Sequence, residues 1–159
     1  MNKAIIISGL VTHLSDNIIP FLDSNTDIYC YTWNIDDNPR WVKKLNRYKK
    51  YCRNLFVEVK EPLFDSKRHS YFYSTYKAVN MIDNIFIYDK IIKFKPNLIG
   101  GIKYQGNLEH YFNKAYLQSR PLLEGTKKEE CVYGSIHYKT MDERLFSGYP
   151  LAFSKIFHI

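Results

Sequence analysis

The sequence predicts an α/β fold in three layers, a mostly parallel central sheet flanked by helices. Short apolar, β-branched runs recur at residues 4–7, 27–33 and 55–59. Stretches with helical spacing separate the strands through the first two thirds of the chain, the pattern of βαβ units. A last short set, Ile91, Ile92 and Phe94, ends at Pro96, which has no N–H for a ladder bond. At 159 residues the chain fits one domain over 1–159. That length buries roughly 70% of the unfolded surface, enough for a core.

The elements follow in order. Residues 4–7 read as a buried parallel strand that ends in Ser8-Gly9. Gly9 either brings the backbone close to a ligand or makes an ordinary strand-to-helix turn. Ser15 and Asp16 signal a short helix through Leu22, with Pro20 awkwardly placed inside it. Residues 27–33 give the second strand. Asp36 and Asp37 then offer a cation site or, more simply, the entry cap of the helix after Pro39.

That helix is expected over 41–53. Trp41, Leu45 and Tyr48 share one face, and Lys43, Lys44, Arg47, Lys49, Lys50 and Arg53 cover the rest. Mixed basic and aromatic residues suit a nucleic-acid face, and they equally suit a solvated outer helix. Residues 55–59 form a third strand. A helix over 69–83 follows, with Phe72, Tyr76, Val79 and Ile82 as its expected buried stripe.

The central strand around 91–94 opens into Asn97 and the Gly100-Gly101 turn. In an open α/β sheet, ligands bind at such strand ends. Beyond it, a strand at 102–104, a helix at 108–117 and a strand at 131–138 bulged at Gly134 are expected. The last segment, 141–157, breaks at Gly148-Tyr149-Pro150 and ends in a short helix.

The formal net charge of +7 favours acidic partners such as nucleotide phosphates or nucleic acid. The 14 tyrosines suit core edges first, and sugar or base stacking second. Three cysteines without metal-ligand spacing fit a reduced, cytoplasmic protein. The N-terminus lacks a secretory signal pattern, and no stretch reaches the roughly 20 apolar residues needed to span a bilayer. Zinc pairs, a Walker loop, a dinucleotide fingerprint and a nucleophile elbow are all absent from the sequence.

Four segments together resemble a family of bacterial and phage glycosyltransferase-like proteins with the GT-A, nucleotide-diphosphosugar-transferase type of fold. The first strand ends in Ser8-Gly9, where the family continues Gln-x-Arg and this chain has Leu10, Val11 and Thr12. Asp27, Thr32 and Trp33 match the second strand, with Asn34 in place of an Asp. Tyr88, Asp89, Pro96 and Leu98 match the central strand, with Lys93 and Lys95 in place of arginines and Asn97 in place of Asp. Asp142, Glu143, Leu145, Phe146 and Gly148 sit where the family has a later Asp-x-Phe-x-x-Gly element.

The resemblance implies a minimal GT-A or Rossmann-like domain that moves a sugar from a nucleotide-diphosphosugar donor to an acceptor hydroxyl. It implies a donor site at Ser8, Gly9, Thr12, Lys93, Lys95 and Asn97. Lys93 and Lys95 are two apart on a strand and share a face, so they either bind phosphate together or lie solvated. Asp142 and Glu143 are the candidate bases, or else caps of the terminal helix. Trp41, Lys43, Lys44 and Arg47 are the candidate acceptor or nucleic-acid contacts. The acceptor is either hydroxymethylated DNA or a surface polysaccharide, in a bacterial or phage-infected cell. A manganese or magnesium ion is the implied cofactor, which Asn97 would hold less well than Asp. The alternative is a non-catalytic protein on the same scaffold that binds nucleic acid or a host factor. The missing Gln, Arg and Asp equivalents favour it.

Overall fold

The structure is a computed structural model that describes residues 2–10, 25–33, 38–94, 121–123, 132–137 and 140–157. Its strands are β1 (Lys3–Ser8), β2 (Thr26–Trp33), β3 (Cys52–Glu58), β4 (Lys90–Phe94), β5 (Pro121–Leu123), β6 (Val132–His137) and β7 (Thr140–Gly148). Its helices are α1 (Pro39–Lys49), α2 (Lys67–Val79) and α3 (Pro150–Phe157), with a 3₁₀ turn at Ile85–Ile87. The strands form one sheet in the order β3-β2-β1-β4-β7-β6-β5. The first four are parallel, and β7, β6 and β5 extend the sheet antiparallel. An α/β architecture is therefore present.

Every residue of β1 is buried, from Lys3 to Ser8. That burial explains its continuous apolar run, because a strand covered on both faces has no solvent side to alternate with. Paired residues share a face, so register sorts the sheet into two sides. Ala4, Ile6, Tyr29, Tyr31, Trp33 and Ile91 form one core with Ala78 and Val79 of α2 and Phe153 and Phe157 of α3. Ile5, Ile7, Ile28 and Ile92 are buried on the other face. The connections β2-α1-β3 and β3-α2-β4 run in opposite directions along the sheet, so right-handed crossovers put α1 and α2 on opposite faces.

Three expectations need correction. The basic helix is Pro39–Lys49 and the next strand is Cys52–Glu58, so Arg53 belongs to β3. The helix closes in a tight turn, with the Lys50 and Tyr51 N–H groups donating to the Arg47 and Tyr48 carbonyls, and pairing with β2 begins at Cys52. Its cap is Asn38, whose side chain accepts from the Arg40 N–H at 2.9 Å, not Asp36 or Asp37. Asn38 stands immediately before Pro39, within reach of the first free N–H groups.

The stripe of α2 is the third correction. Phe72 and Tyr76 are exposed, while Ser74, Thr75, Ala78 and Val79 are buried with Ile82 just beyond. Periodicity favours the bulky apolar residues, but α2 crosses β1 and β2 closely and puts small side chains against the sheet. Ser66 caps this helix by accepting from the His69 N–H at 3.1 Å. The expected bulge at Gly134 is present as a register shift between Gly134 and Ile136. The helix expected near 15–22, the strand at 102–104 and the helix at 108–117 lie outside the described residues.

Candidate functional site

The parallel strands define two edges. At the amino edge the polar groups close on one another. Asp89 accepts from the Asn2 N–H at 2.7 Å, and its own N–H donates to the Asn2 carbonyl at 2.8 Å. The Tyr88 hydroxyl donates to Asp27 at 2.6 Å, and Arg53 donates to the same carboxylate oxygen at 2.9 Å. Tyr88 has one proton to give, so at the 2.7 Å contact between Tyr29 and Tyr88 it is Tyr29 that donates. Burial first, then the bonds to Asp27 and Tyr29, push the Tyr88 phenol far above its ordinary value. The two rings meet edge to face at 6.2 Å.

At the carboxyl edge the arrangement is different. The strand order reverses between β1 and β4, because β1 continues to β2 on one side while the β3-α2 connection returns to β4 on the other. Such a reversal opens a crevice at the carboxyl ends of the strands, where ligands of open α/β sheets bind. Ser8 ends β1 at that point, and its hydroxyl lies 3.3 Å from that of Thr75 on α2. Gly9 follows with φ 142°, a backbone shape that favours glycine, and its N–H donates to the Tyr31 carbonyl at 3.1 Å. Phe94 ends β4 at the same edge.

Two residues further along β2, Thr32 and Trp33 are buried. The Thr32 hydroxyl and the Trp33 indole N–H have no hydrogen-bond partner among the described residues. Buried polar atoms are normally paired, so unpaired ones at a ligand edge are candidate contacts. As strand neighbours they face opposite sides of the sheet. Beside Trp33, the Tyr31 hydroxyl donates to half-buried Glu58 at 3.0 Å. Burial and that bond push the Tyr31 phenol well above its ordinary value, so it stays protonated. Thr32, Trp33, Tyr31 and Glu58 were not assigned to the site from the sequence. The one signal for them was the Thr32-Trp33 match in the resemblance.

The expected site residues divide between this edge and elsewhere. Ser8 and Gly9 lie at the carboxyl end of β1. Lys93 is in β4 opposite Ile6 of β1, with no exposed surface, so the solvated-lysine alternative fails for it. Its face is the one that α2 covers, shared with Ile6 and Ile91. Thr12, Lys95 and Asn97 lie outside the described residues.

Asp142 and Glu143 lie on β7, past the point where Leu145 pairs with Phe94, which places their backbone at the carboxyl edge. They do not cap α3, because pairing with β6 and β4 keeps the chain in a strand until Gly148, and α3 starts at Pro150. Trp41, Lys43, Lys44 and Arg47 lie apart on α1.

Other features carry less. An open groove of about 780 Å³ lies at the amino edge against Phe86, Tyr88, Asp89, Lys90, Tyr149, Pro150 and Leu151. It is the opposite edge from the crevice, and its lining is mostly apolar. Cys30 and Cys52 are free thiols on adjacent strands. Their mutual hydrogen bond, then burial, hold the Cys30 thiol well above its ordinary value, which suppresses the nucleophilic thiolate. Among the described residues no group of three or more His, Cys, Asp or Glu is placed to hold a metal ion. None of the described helices is long and apolar enough to cross a membrane.

No protein-family model matches the chain, and no curated protein matches it.

Proposed function

We propose that the crevice between β1 and β4 binds a nucleotide-diphosphosugar and that the chain transfers the sugar to an acceptor hydroxyl, on a small GT-A-like scaffold. The observation that carries this reading is the strand reversal at that crevice, with Gly9 at φ 142° on its rim. A backbone without a side chain at that position lets a diphosphate approach the end of β1 closely. Thr32 and Trp33 supply two buried donors at the same edge. Lys95 and Asn97 follow β4 directly in sequence and are the proposed phosphate contacts.

In the transfer, the acceptor oxygen forms a bond to the anomeric carbon as the bond from that carbon to the phosphate oxygen breaks. The electron pair leaves with the nucleoside diphosphate, and the acceptor proton goes to a carboxylate, Asp142 or Glu143. The charge that develops on the diphosphate is met by backbone N–H groups and by Lys95. The alternative, a non-catalytic protein on this scaffold, differs in requiring no donor.

A thermal-shift screen against UDP-, GDP- and TDP-linked sugars, with and without manganese, tests the proposal. A ligand bound only by the folded state raises the apparent stability, by about 2.7 kcal/mol at a hundred times Kd. One donor class is expected to raise Tm, Lys95→Ala to reduce that rise, and Asp142→Asn with Glu143→Gln to keep binding while stopping nucleoside diphosphate release. No shift with any donor sinks the reading.

A further inference from the structure

The net charge of this chain resides on one segment. Seven of its 23 Lys and Arg lie between residues 38 and 53, together with none of its 16 Asp and Glu. The rest of the chain therefore carries 16 of each and is formally neutral. An evenly solvated basic surface would spread its charge. Here it is gathered on α1 and the turn and strand start that follow it.

The helix arranges part of that charge in a line. Arg40, Lys43, Arg47 and Lys50 are all exposed. At 3.6 residues per turn they fall within an arc of about 80°, and at 1.5 Å per residue they span about 15 Å. Lys50 keeps helical angles, with φ −67° and ψ −26°, so the row runs to the end. The row is long enough to meet several phosphates of one strand, at most one for each of its four cations.

The row is also held in place. Tyr48 is buried, Trp41 and Leu45 are half-buried, and this inner side packs α1 against β3. The Trp41 ring lies under both the Arg40 guanidinium, at 5.1 Å, and the Lys44 ammonium, at 5.7 Å. These cation–π contacts restrain two long side chains at the start of the helix. The first turn of α1 contains no acidic residue. A membrane-surface helix would carry bulky apolar residues on its outer side. On α1 the exposed aliphatic side chain is Val42 alone.

We propose that α1 is a docking surface for the phosphodiester backbone of a nucleic-acid strand, laid along Arg40, Lys43, Arg47 and Lys50. The contacts are to backbone phosphate, so binding is independent of base sequence. α1 is the next element after β2, and a right-handed crossover to parallel β3 starts its Arg40 end toward the carboxyl edge of the sheet. Only the further identification of the bound strand as the sugar acceptor rests on the transferase reading.

The test is fluorescence anisotropy of the full chain with labelled 20-nucleotide duplex and single-stranded DNA of mixed sequence, titrated at several salt concentrations. Four phosphate contacts give a slope of log affinity against log salt of about −3.6 for duplex and about −2.8 for single strands. Between 50 and 200 mM salt that is a loss of about 150-fold or about 50-fold respectively. Lys43→Gln with Arg47→Gln is expected to reduce the slope by about two contacts. Lys60→Gln with Lys155→Gln, an equal change in net charge at exposed positions elsewhere, is expected to leave it unchanged.

An equal effect of the two pairs overturns the proposal, because binding would then follow net charge alone. So does the absence of binding at 50 mM salt, or tighter binding to phosphatidylserine vesicles than to DNA. Matching far-UV spectra and Tm values for the two pairs keep misfolding out of the comparison. The donor screen is read separately. DNA binding without a donor shift leaves this surface standing and sinks the transferase, and the reverse result sinks only this surface.

Discussion

The two edges of the parallel sheet use similar polar residues to opposite ends. At the amino edge Asp27, Tyr29, Tyr88 and Arg53 satisfy one another, and Asp89 ties the start of β4 to Asn2 before β1. At the carboxyl edge Thr32 and Trp33 are buried but lack partners among the described residues, and Gly9 takes a backbone shape that favours glycine. A closed network lowers the energy of the fold, whereas buried donors without partners raise it by about 1–3 kcal/mol each. Proteins tolerate that cost where a ligand or an ordered water supplies the missing bond. The residues behind the resemblance accordingly split into two groups. Asp27, Tyr88 and Asp89 hold the sheet together at its amino edge, and Ser8, Gly9, Thr32 and Trp33 lie at its carboxyl edge.

Four substitutions sharpen that contrast. The largest effect is expected from Asp27→Ala, which leaves the Tyr88 hydroxyl and the Arg53 guanidinium without their shared acceptor. Its urea unfolding midpoint should correspond to a loss of about 3 kcal/mol, with any donor-induced shift in Tm retained. Gly9→Val comes next, at about 2 kcal/mol, because φ 142° is strained for a β-branched residue. Unlike the first, it should also abolish the donor-induced shift, since its side chain fills the approach to the backbone. If Gly9→Val is stable and still binds, the carboxyl edge is not the ligand edge.

Tyr88→Phe is expected to cost about 1 kcal/mol at neutral pH, and its pH dependence is more informative. The folded Tyr88 phenol titrates above its unfolded value. Below about pH 10 both states keep the proton and the bond to Asp27 contributes in full. Above it the unfolded chain releases a proton that folded Tyr88 retains, so stability falls as pH rises. Tyr88→Phe has no such proton, and its alkaline decline, followed by circular dichroism, should be shallower than that of the parent chain. The smallest effect belongs to Thr32→Val. Removing a buried hydroxyl without a partner should leave stability within about 0.5 kcal/mol or raise it, while weakening the donor-induced shift. A clear destabilisation would mean that the hydroxyl is paired after all and serves the fold.

Much of the parallel sheet was legible because its strands are short apolar runs closed by turns. Residues 4–7, 27–33 and the set at 91–94 all lie within observed strands. Boundaries were less legible where two tendencies compete. Residues 50–53 extend a good basic helix, yet pairing with β2 takes Cys52 and Arg53 into β3. The stripe of α2 was misread because helical spacing cannot distinguish a face that needs bulk from one that needs small residues for close approach. Lys93 was read by its charge, and its neighbours on the strand ladder decide that it is buried.

What the sequence alone determined is whatever depends on local pattern: the α/β class, the start and end of the first strands, the glycine after β1 and the concentration of positive charge after Asn38. These are properties of neighbours in the chain, set by periodicity, by backbone freedom and by composition. Only the tertiary structure decided which polar residues meet. Asp27 and Tyr88 are 61 positions apart and Ser8 and Thr75 are 67 apart, yet the sheet order brings each pair into contact. The reversal between β1 and β4 is likewise a fact of strand order. Hydrogen bonds and crevices depend on separation in space, and a sequence encodes that separation only through the fold.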